Sequence, residues 1–364
     1  MKAVKEFYSG KKILLTGDTG FKGSWLAIWL THLGAKVYGY ALAADTDQAN
    51  FIKCGLEKVI HHVDGDIRDF KKLNAYIQEI KPDICFHLAA QPLVLSSYTD
   101  PVYNYETNVM GTINFLEALR NCASVKAAVV ITTDKCYQNN EWIWGYRESD
   151  AMGGKDPYSA SKACAEIVTH SYISSFFSDK DACKIATVRA GNVIGGGDWA
   201  EHRIIPDFFR AMVSGEELTL RNPDATRPWQ HVLEPLRGYL LIGSLLAGDN
   251  GLKYTGAWNF GPAEENHVSV GTLVKNLARL NHNKVKYSIV KNANQPHEAT
   301  LLKLDISKAS FLLHWRPVLT LEQTLAFTTE GYEVEVGNSK DLLKERIKQI
   351  EKYSELVESS IPKI

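Results

Sequence analysis

The chain holds 364 residues, with 41 lysines and arginines against 42 aspartates and glutamates. That balance lacks the basic excess of a nucleic-acid binder, and no nucleic-acid partner is expected. Hydrophobic residues make up 45% and charged residues 23%, which excludes a disordered chain and suits one large domain or one and a half.

In chain order, Lys12-Ile13-Leu14-Leu15-Thr16 is a predicted strand that runs into a glycine-rich turn, and a helix follows through Trp25 to Leu30. Ala35–Ala41 and Val59–Val63 are the second and third strands. Phe70 to Lys81 has helical spacing, with Leu73, Tyr76, Ile77 and Ile80 as its apolar positions, and Pro82 ends it before a fourth strand at Ile84–Leu88. A long helix is predicted from about Pro101 to Cys122, then a strand at Ala127–Ile131, a helix over Pro157–Phe177 and a strand at Ile185–Arg189. Strands that alternate with helices and read as continuous apolar runs form a parallel sheet covered on both faces. The expected fold class is α/β, a Rossmann-type doubly wound parallel sheet with a smaller C-terminal substrate-binding lobe. Residues 1–190 are expected to bind the cofactor and carry the Tyr/Lys helix. Residues 191–364 are expected mainly to form the substrate lobe, with some segments returning to the first domain. The tail from Ser339 to Ser359 reads as a solvated amphipathic helix packed on the surface.

Six cysteines are scattered without CxxC spacing, the usage of reduced thiols in a cytoplasmic protein. The N-terminus has no apolar signal segment. No run approaches the about 18 apolar residues of a membrane helix, so no membrane partner is expected. His61 and His62 are adjacent and no HExxH occurs, so no metal site is expected.

The turn Thr16-Gly17-Asp18-Thr19-Gly20-Phe21-Lys22-Gly23 has GxxGxxG spacing between a strand and a helix. Glycine permits a tight turn and close approach of a pyrophosphate to backbone N–H groups, and the helix N-terminus adds partial positive charge. Gly17, Thr19, Gly20, Phe21, Lys22 and Gly23 are therefore candidates for holding a dinucleotide. Asp66, followed by Ile67, ends the third strand, placed either to bond an adenine amine or to cap a helix. The second strand ends in Tyr40-Ala41-Leu42-Ala43-Ala44-Asp45. It has no arginine for a 2′-phosphate, and its acid comes late, so NAD is favoured over NADP.

Tyr158-Ser159-Ala160-Ser161-Lys162 places a tyrosine and a lysine one turn apart on a helix face. An ammonium there stabilises the phenolate and lowers its pKa from about 10, making a general base toward a substrate hydroxyl. The spacing recurs at Tyr8/Lys12 and Tyr287/Lys291. Only Tyr158 follows the fifth strand, where a helix can pass the C-terminal strand ends that bind ligands. That strand ends in Thr132-Thr133-Asp134-Lys135. Thr133 could bond the same hydroxyl, with Asp134 and Lys135 as acid and base candidates. Such a polar strand end is also ordinary turn chemistry.

Gly17-x2-Gly20-Phe21-x-Gly23, Leu88-Ala89-Ala90-Gln91, Thr107-Asn108-Val109-Met110-Gly111-Thr112 and Tyr158-x3-Lys162 together resemble the extended short-chain dehydrogenase/reductase superfamily, over nearly the whole chain. Narrower runs resemble the nucleotide-sugar 4,6-dehydratases of its NAD-dependent epimerase/dehydratase family. They include Gly20-Phe21-Lys22-Gly23-Ser24-Trp25, Thr133-Asp134-Lys135-Cys136-Tyr137, Trp144-Gly145-Tyr146-Arg147-Glu148, Arg189 to Trp199, Arg227 to Pro235, Trp258-Asn259-Phe260-Gly261-Pro262 and Pro296-His297-Glu298-Ala299.

The resemblance implies a redox-neutral hydro-lyase of deoxysugar biosynthesis, as in lipopolysaccharide, acting on a nucleotide-linked hexose, CDP-glucose above others. Tyr158 would take the C4 hydroxyl proton as hydride leaves C4, water would leave across C5–C6, and hydride would return to C6. NAD would be tightly held and regenerated each turn. Ala89, Ala90, Gln91, Asn108, Tyr158 and Lys162 would join the glycine turn in binding it. Related dehydratases carry Thr-Asp-Glu where this chain has Thr133-Asp134-Lys135. Asp134 would be the acid for the C6 hydroxyl. Lys135 would be the C5 base, which requires its pKa to fall below about 10.4, or would only stabilise enolate-like charge. Asn192 and Arg227 would meet the sugar diphosphate, with Arg203, His231, Asn259 and His297 as further candidates. A homodimer or homotetramer through the two long helices is implied. Another nucleotide-sugar dehydratase, a 4-epimerase using the same Tyr158 and Lys162, and a catalytically idle NAD-sensing protein are the alternatives.

Overall fold

The computed structural model describes residues 1–290, 301–337 and 339–360. Seven strands form the central sheet: β1 (Lys12–Thr16), β2 (Lys36–Ala41), β3 (His61–Asp64), β4 (Ile84–His87), β5 (Ala127–Ile131), β6 (Lys184–Ala190) and β7 (Gly256–Phe260). Their order is β7-β6-β5-β4-β1-β2-β3, and every neighbouring pair is parallel. β4 and β5 are buried along their whole length, which is why they read as unbroken apolar runs. Alternate residues feed two cores. Ile13, Leu15 and Val129 face Trp25 and Trp29 of the helix Phe21–His32 and the helix Leu233–Leu246. Leu14, Cys85 and Val130 face Leu73 and Ile77 of Phe70–Ile80 and Phe115 and Leu119 of Gly111–Arg120. Each such side chain stabilises the fold by about 1.5–3 kcal/mol. The strand order reverses between β1 and β4, so a cleft opens at their C-terminal ends.

Beyond residue 190 the chain does two things. β7 extends the sheet, and the helix Leu233–Leu246 packs on it. Part of the remainder builds a smaller lobe around Phe208, Phe209, Leu273, Leu277 and Tyr332. The helix Leu342–Ser360 packs on the surface as an amphipathic helix, with Leu342, Ile350, Tyr353 and Val357 entering the main core. Its Arg346 is fully buried, bonding Asn50 Oδ1 at 3.0 Å and the Gly331 carbonyl at 2.9 Å and pairing with Glu335. The long helix from Pro101 is interrupted by a π turn at Glu106–Met110 before Gly111–Arg120 begins. Asn108 lies within that turn. The third strand starts at His61 rather than Val59, because Gly55 at φ 61° opens a 3₁₀ turn over Leu56–Lys58. Five cysteines are buried, Cys164 is half-buried, and none is in a disulfide. No helix among the described residues is long and apolar enough to cross a membrane.

Candidate active site

The glycine turn leaves β1 with Gly17 at φ 76°, a left-handed conformation that favours glycine. A Cβ on Gly17 would sit 2.6 Å from the Ala89 amide nitrogen, and one on Gly23 would sit 2.0 Å from the Gly17 carbonyl oxygen. Only glycine lets the turn close between β4 and its own helix. Gly20 opens the helix Phe21–His32 without a side-chain cap, so its first amides keep their capacity for an anion. Thr19 Oγ1 donates to the Leu42 carbonyl at 2.9 Å, tying the turn to the end of β2. This cradle fits a dinucleotide diphosphate.

An acid in the turn escaped sequence reasoning. Asp18 is fully buried, and its Oδ2 meets His62 Nδ1 at 2.7 Å. That bond raises the imidazole pKa, against burial. Gly39 on β2 makes room, since a Cβ there would lie 2.2 Å from the Asp18 carboxylate. A glycine inside an otherwise good strand was the available signal.

Asp66 follows β3 and caps no helix. Asp69 caps Phe70–Ile80 by accepting from the Lys72 amide at 3.1 Å. Asp66 instead accepts from the Arg68 amide at 2.9 Å and holds the Arg68 guanidinium at 2.6–3.1 Å, which keeps its pKa below the usual range. Ile67 is buried and packs where a Cβ on Gly111 would clash. At the exit of β4, Ala89 donates its amide to Thr16 Oγ1 at 3.3 Å, and half-buried Ala90 continues to Gln91. Asn108 grips Gln91 through its amide and carbonyl at 2.8 and 3.1 Å, and donates to Ser161 Oγ at 2.9 Å. It therefore links the cofactor-side loop to the helix that carries Tyr158.

That helix, Pro157–Phe176, starts where Asp156 accepts from the Ser159 amide at 2.9 Å, with proline in its first turn. Tyr158 and Lys162 are 8% and 7% exposed, on one face. Lys162 Nζ donates to the Ile131 carbonyl at 3.2 Å, and burial brings its pKa down to about 8. The expected depression of Tyr158 by Lys162 does not set the phenol here. Burial pushes it up to about 12, with Thr133 hydrogen bonding and Arg203 pulling the other way. The physical reason is that removal from water disfavours the phenolate more than these neighbours favour it.

Thr133 Oγ1 donates to Asp134 Oδ1 at 3.0 Å. Asp134 is buried, and burial raises its carboxyl pKa despite Lys135, Thr133, Arg227 and Lys22. Lys22, expected to serve the phosphate turn, also falls within electrostatic reach of Asp134, Lys162 and Arg203. Burial first, then Arg203, lowers its pKa to about 8. Arg203 Nη1 pairs with Asp198 at 2.9 Å, and Arg227 Nη1 donates to the Thr226 carbonyl at 2.9 Å. Gly191 lies against this floor, since its Cβ would be 2.9 Å from Asp134 Oδ2, and half-buried Asn192 follows it.

Two expected substrate residues lie elsewhere. Asn259 is fully buried and bonded within the fold, accepting from Tyr137 at 2.8 Å and donating to the Tyr146 and Asp305 carbonyls at 2.9 and 3.1 Å. His231 is fully buried beside Trp25 and Phe327, and burial brings its pKa down to about 3, so it is a neutral packing residue. Position along a motif does not reveal which way a side chain turns. His297 lies outside the described residues.

A doubly wound parallel sheet, a glycine turn after its first strand and a Tyr–Lys pair at its C-terminal edge define the class of Rossmann-fold enzymes that carry out hydroxyl oxidation with a nucleotide cofactor. Within that class, the chain belongs to the GDP-mannose 4,6 dehydratase family, whose model matches residues 14–328. It is 49% identical to CDP-glucose 4,6-dehydratase of Salmonella typhimurium over 88% of this chain and 90% of that protein. It is 30% identical to dTDP-D-glucose 4,6-dehydratase of Dictyostelium discoideum over 58% of this chain and 50% of that protein. Among solved structures, UDP-glucose 4-epimerase of Thermotoga maritima shares the fold, with TM-score 0.77, 24% identity, 89% of this chain and 99% of that one. So does the NAD complex of dTDP-glucose 4,6-dehydratase from Bacillus anthracis, with TM-score 0.74, 20% identity, 92% of this chain and all of that one.

Proposed function

We propose that this protein converts CDP-D-glucose to CDP-4-dehydro-6-deoxy-D-glucose and water. The observation that carries the reading is the buried Asp134 carboxyl, its pKa raised by burial, beside Thr133 and Tyr158. Oxidation at C4, as in an epimerase, needs the tyrosine and lysine alone, whereas elimination needs an acid at the departing hydroxyl. Similarity to the Salmonella enzyme supports CDP-glucose as the nucleotide sugar. Bound NAD supplies a reversible hydride acceptor. The glycine turn would hold its diphosphate, and the absence of arginine at Tyr40 to Asp45 favours it over NADP. Tyr158 accepts the C4 hydroxyl proton, Asp134 protonates the leaving C6 hydroxyl, and Arg203, Arg227 and Asn192 hold the sugar diphosphate. A cofactor regenerated each turn is tightly held.

Incubation with CDP-, UDP-, dTDP- and GDP-hexoses should give mass loss of one water from CDP-glucose. Loss from another nucleotide instead would reassign the base, and an isomer of unchanged mass would make the protein an epimerase.

Lys135 is the base at C5 in this reading. Lys135→Ala should slow solvent deuterium entry at C5 by about 10²–10⁴-fold, measured by mass spectrometry of the product. An unchanged rate would remove Lys135 from that role.

A cytoplasmic homodimer or homotetramer fits exposed Val102, Tyr105 and Met110 on one helical segment and Ile167 and Phe176 on the other.

A further inference from the structure

One buried cluster is not used by the reaction as described. Glu166 lies on the Tyr158 helix one turn beyond Lys162 and is 4% exposed, and Arg189 at the end of β6 is 2% exposed. They form a two-pronged ion pair, Nε to Oε1 at 2.9 Å and Nη2 to Oε2 at 2.8 Å. Thr187 donates to Oε2 at 2.7 Å, and Thr132 donates to Oε1. Arg189 Nη1 donates to the Tyr137 hydroxyl at 2.6 Å, and that hydroxyl donates to Asn259 on β7.

This arrangement touches the catalytic strand end from behind. Successive residues of an extended segment point to opposite sides. Thr132 turns toward the helix and bonds Glu166, while Thr133 turns toward Tyr158 and Asp134. The same helix donates from Lys162 to the Ile131 carbonyl. Two consecutive turns of the helix thus grip two consecutive residues of the strand end.

Glu166 also stays ionised. Burial works to raise its pKa, yet the Arg189 hydrogen bonds and charge and the two threonines hold it below the ordinary carboxyl range. The ionisable groups acting on Lys162 are Glu166 on its own helix, Cys136 after the strand end, Lys22 of the glycine-turn helix and His87 of β4. Among these, burial keeps the Cys136 thiol protonated and His87 neutral. The standing negative charge beside the Lys162 ammonium is therefore Glu166.

We propose that Glu166, locked by Arg189, is a positioning residue for the reaction: it orients Thr132 so that Thr133 faces the cleft, and it keeps Lys162 in its ammonium form. The proposal rests on the dehydratase reading of the cleft. A buried ion pair of this kind is weak evidence for stability, because an apolar replacement of both partners can match it. Its geometry points instead to the groups on either side.

Glu166→Gln alone strands a buried guanidinium and can unfold the chain. The informative variant is Glu166→Gln/Arg189→Met, compared with Glu166→Asp and the unsubstituted protein. The unsubstituted protein is first shown to release water from CDP-glucose. Without that turnover the dehydratase reading fails by itself. With it, the double variant should melt within about 4 °C of the unsubstituted protein. The alkaline limb of its kcat profile should move down by about one pH unit, with about a ten-fold loss above pH 8 and KM unchanged. Glu166→Asp, which keeps the charge, should hold the limb in place. A stable double variant with an unmoved limb, a loss carried by KM, or a double variant that does not fold would each overturn the proposal.

Discussion

Replacing Tyr158 by phenylalanine is expected to lower kcat by about 10²–10⁴-fold, the range for removing a general base, while KM and the fold stay close to unchanged. The substitution deletes one oxygen and keeps the ring in its buried place. The Tyr158 amide still donates to Ser97 Oγ at 3.1 Å, and Asp156 still caps the helix. Thr133 keeps its bond to Asp134, so the neighbouring acid is not disturbed. The side chain lost is a neutral phenol, held near 12 by burial. Ionised tyrosine is therefore scarce at neutral pH, and only that ionised form can accept the C4 hydroxyl proton as hydride departs. Steady-state kinetics on CDP-glucose together with a thermal melt checks this. A loss below about ten-fold would place the base elsewhere.

The second large effect is expected from Asp134→Asn, which should separate activity from stability. Asparagine keeps the shape and can still accept from Thr133, but it has no proton to give the leaving C6 hydroxyl. Dehydration should fall by about 10²–10⁴-fold, while oxidation at C4 persists, seen as reduced nicotinamide that accumulates in a single turnover. Stability should move the other way. Burial raises the Asp134 pKa even against Lys135, Arg227 and Lys22. The folded value thus lies above the unfolded one of about 3.9. Ionisation then works against the native state: the penalty is absent below the unfolded pKa and grows as pH rises through the folded pKa. The asparagine variant lacks it, so it should be more stable at pH 7 by about 0.5–2 kcal/mol, with the advantage closing below about pH 4. Melting curves across that range test the sign. A variant equally active, or less stable at pH 7, would remove Asp134 from the role of a buried acid.

Much of this site is legible in one dimension because its chemistry is local. The GxxGxxG turn, the Tyr-x3-Lys helix and the Thr133-Asp134-Lys135 strand end each need residues only a few positions apart, and strand order then brings all three to the same sheet edge. The Arg203 and Arg227 positions also converge on it. Asn259 and His231 show where that reasoning stops. Both stand in motifs of the right kind, and both turn inward, one to bond Tyr137 and Tyr146, the other to pack on Trp25. Lys22 and Asp18 show the opposite case, turn residues whose charged neighbours, Arg203 and Asp134 for the one and His62 for the other, lie far along the chain.

The sequence by itself determined the parallel sheet, the glycine turn after its first strand and the close spacing of the residues proposed for catalysis. Apolar periodicity, glycine spacing and helix geometry act over a few residues and leave their mark in order. Tertiary structure alone decided the ionisation states and the supports. Burial sets the pKa of Tyr158, Lys162 and Asp134, and burial is a property of what packs around a group. Arg346 closes against Asn50 from 296 residues away, and Glu166 meets Arg189 across 23. Desolvation and long-range pairing depend on distances that exist only once the chain has folded.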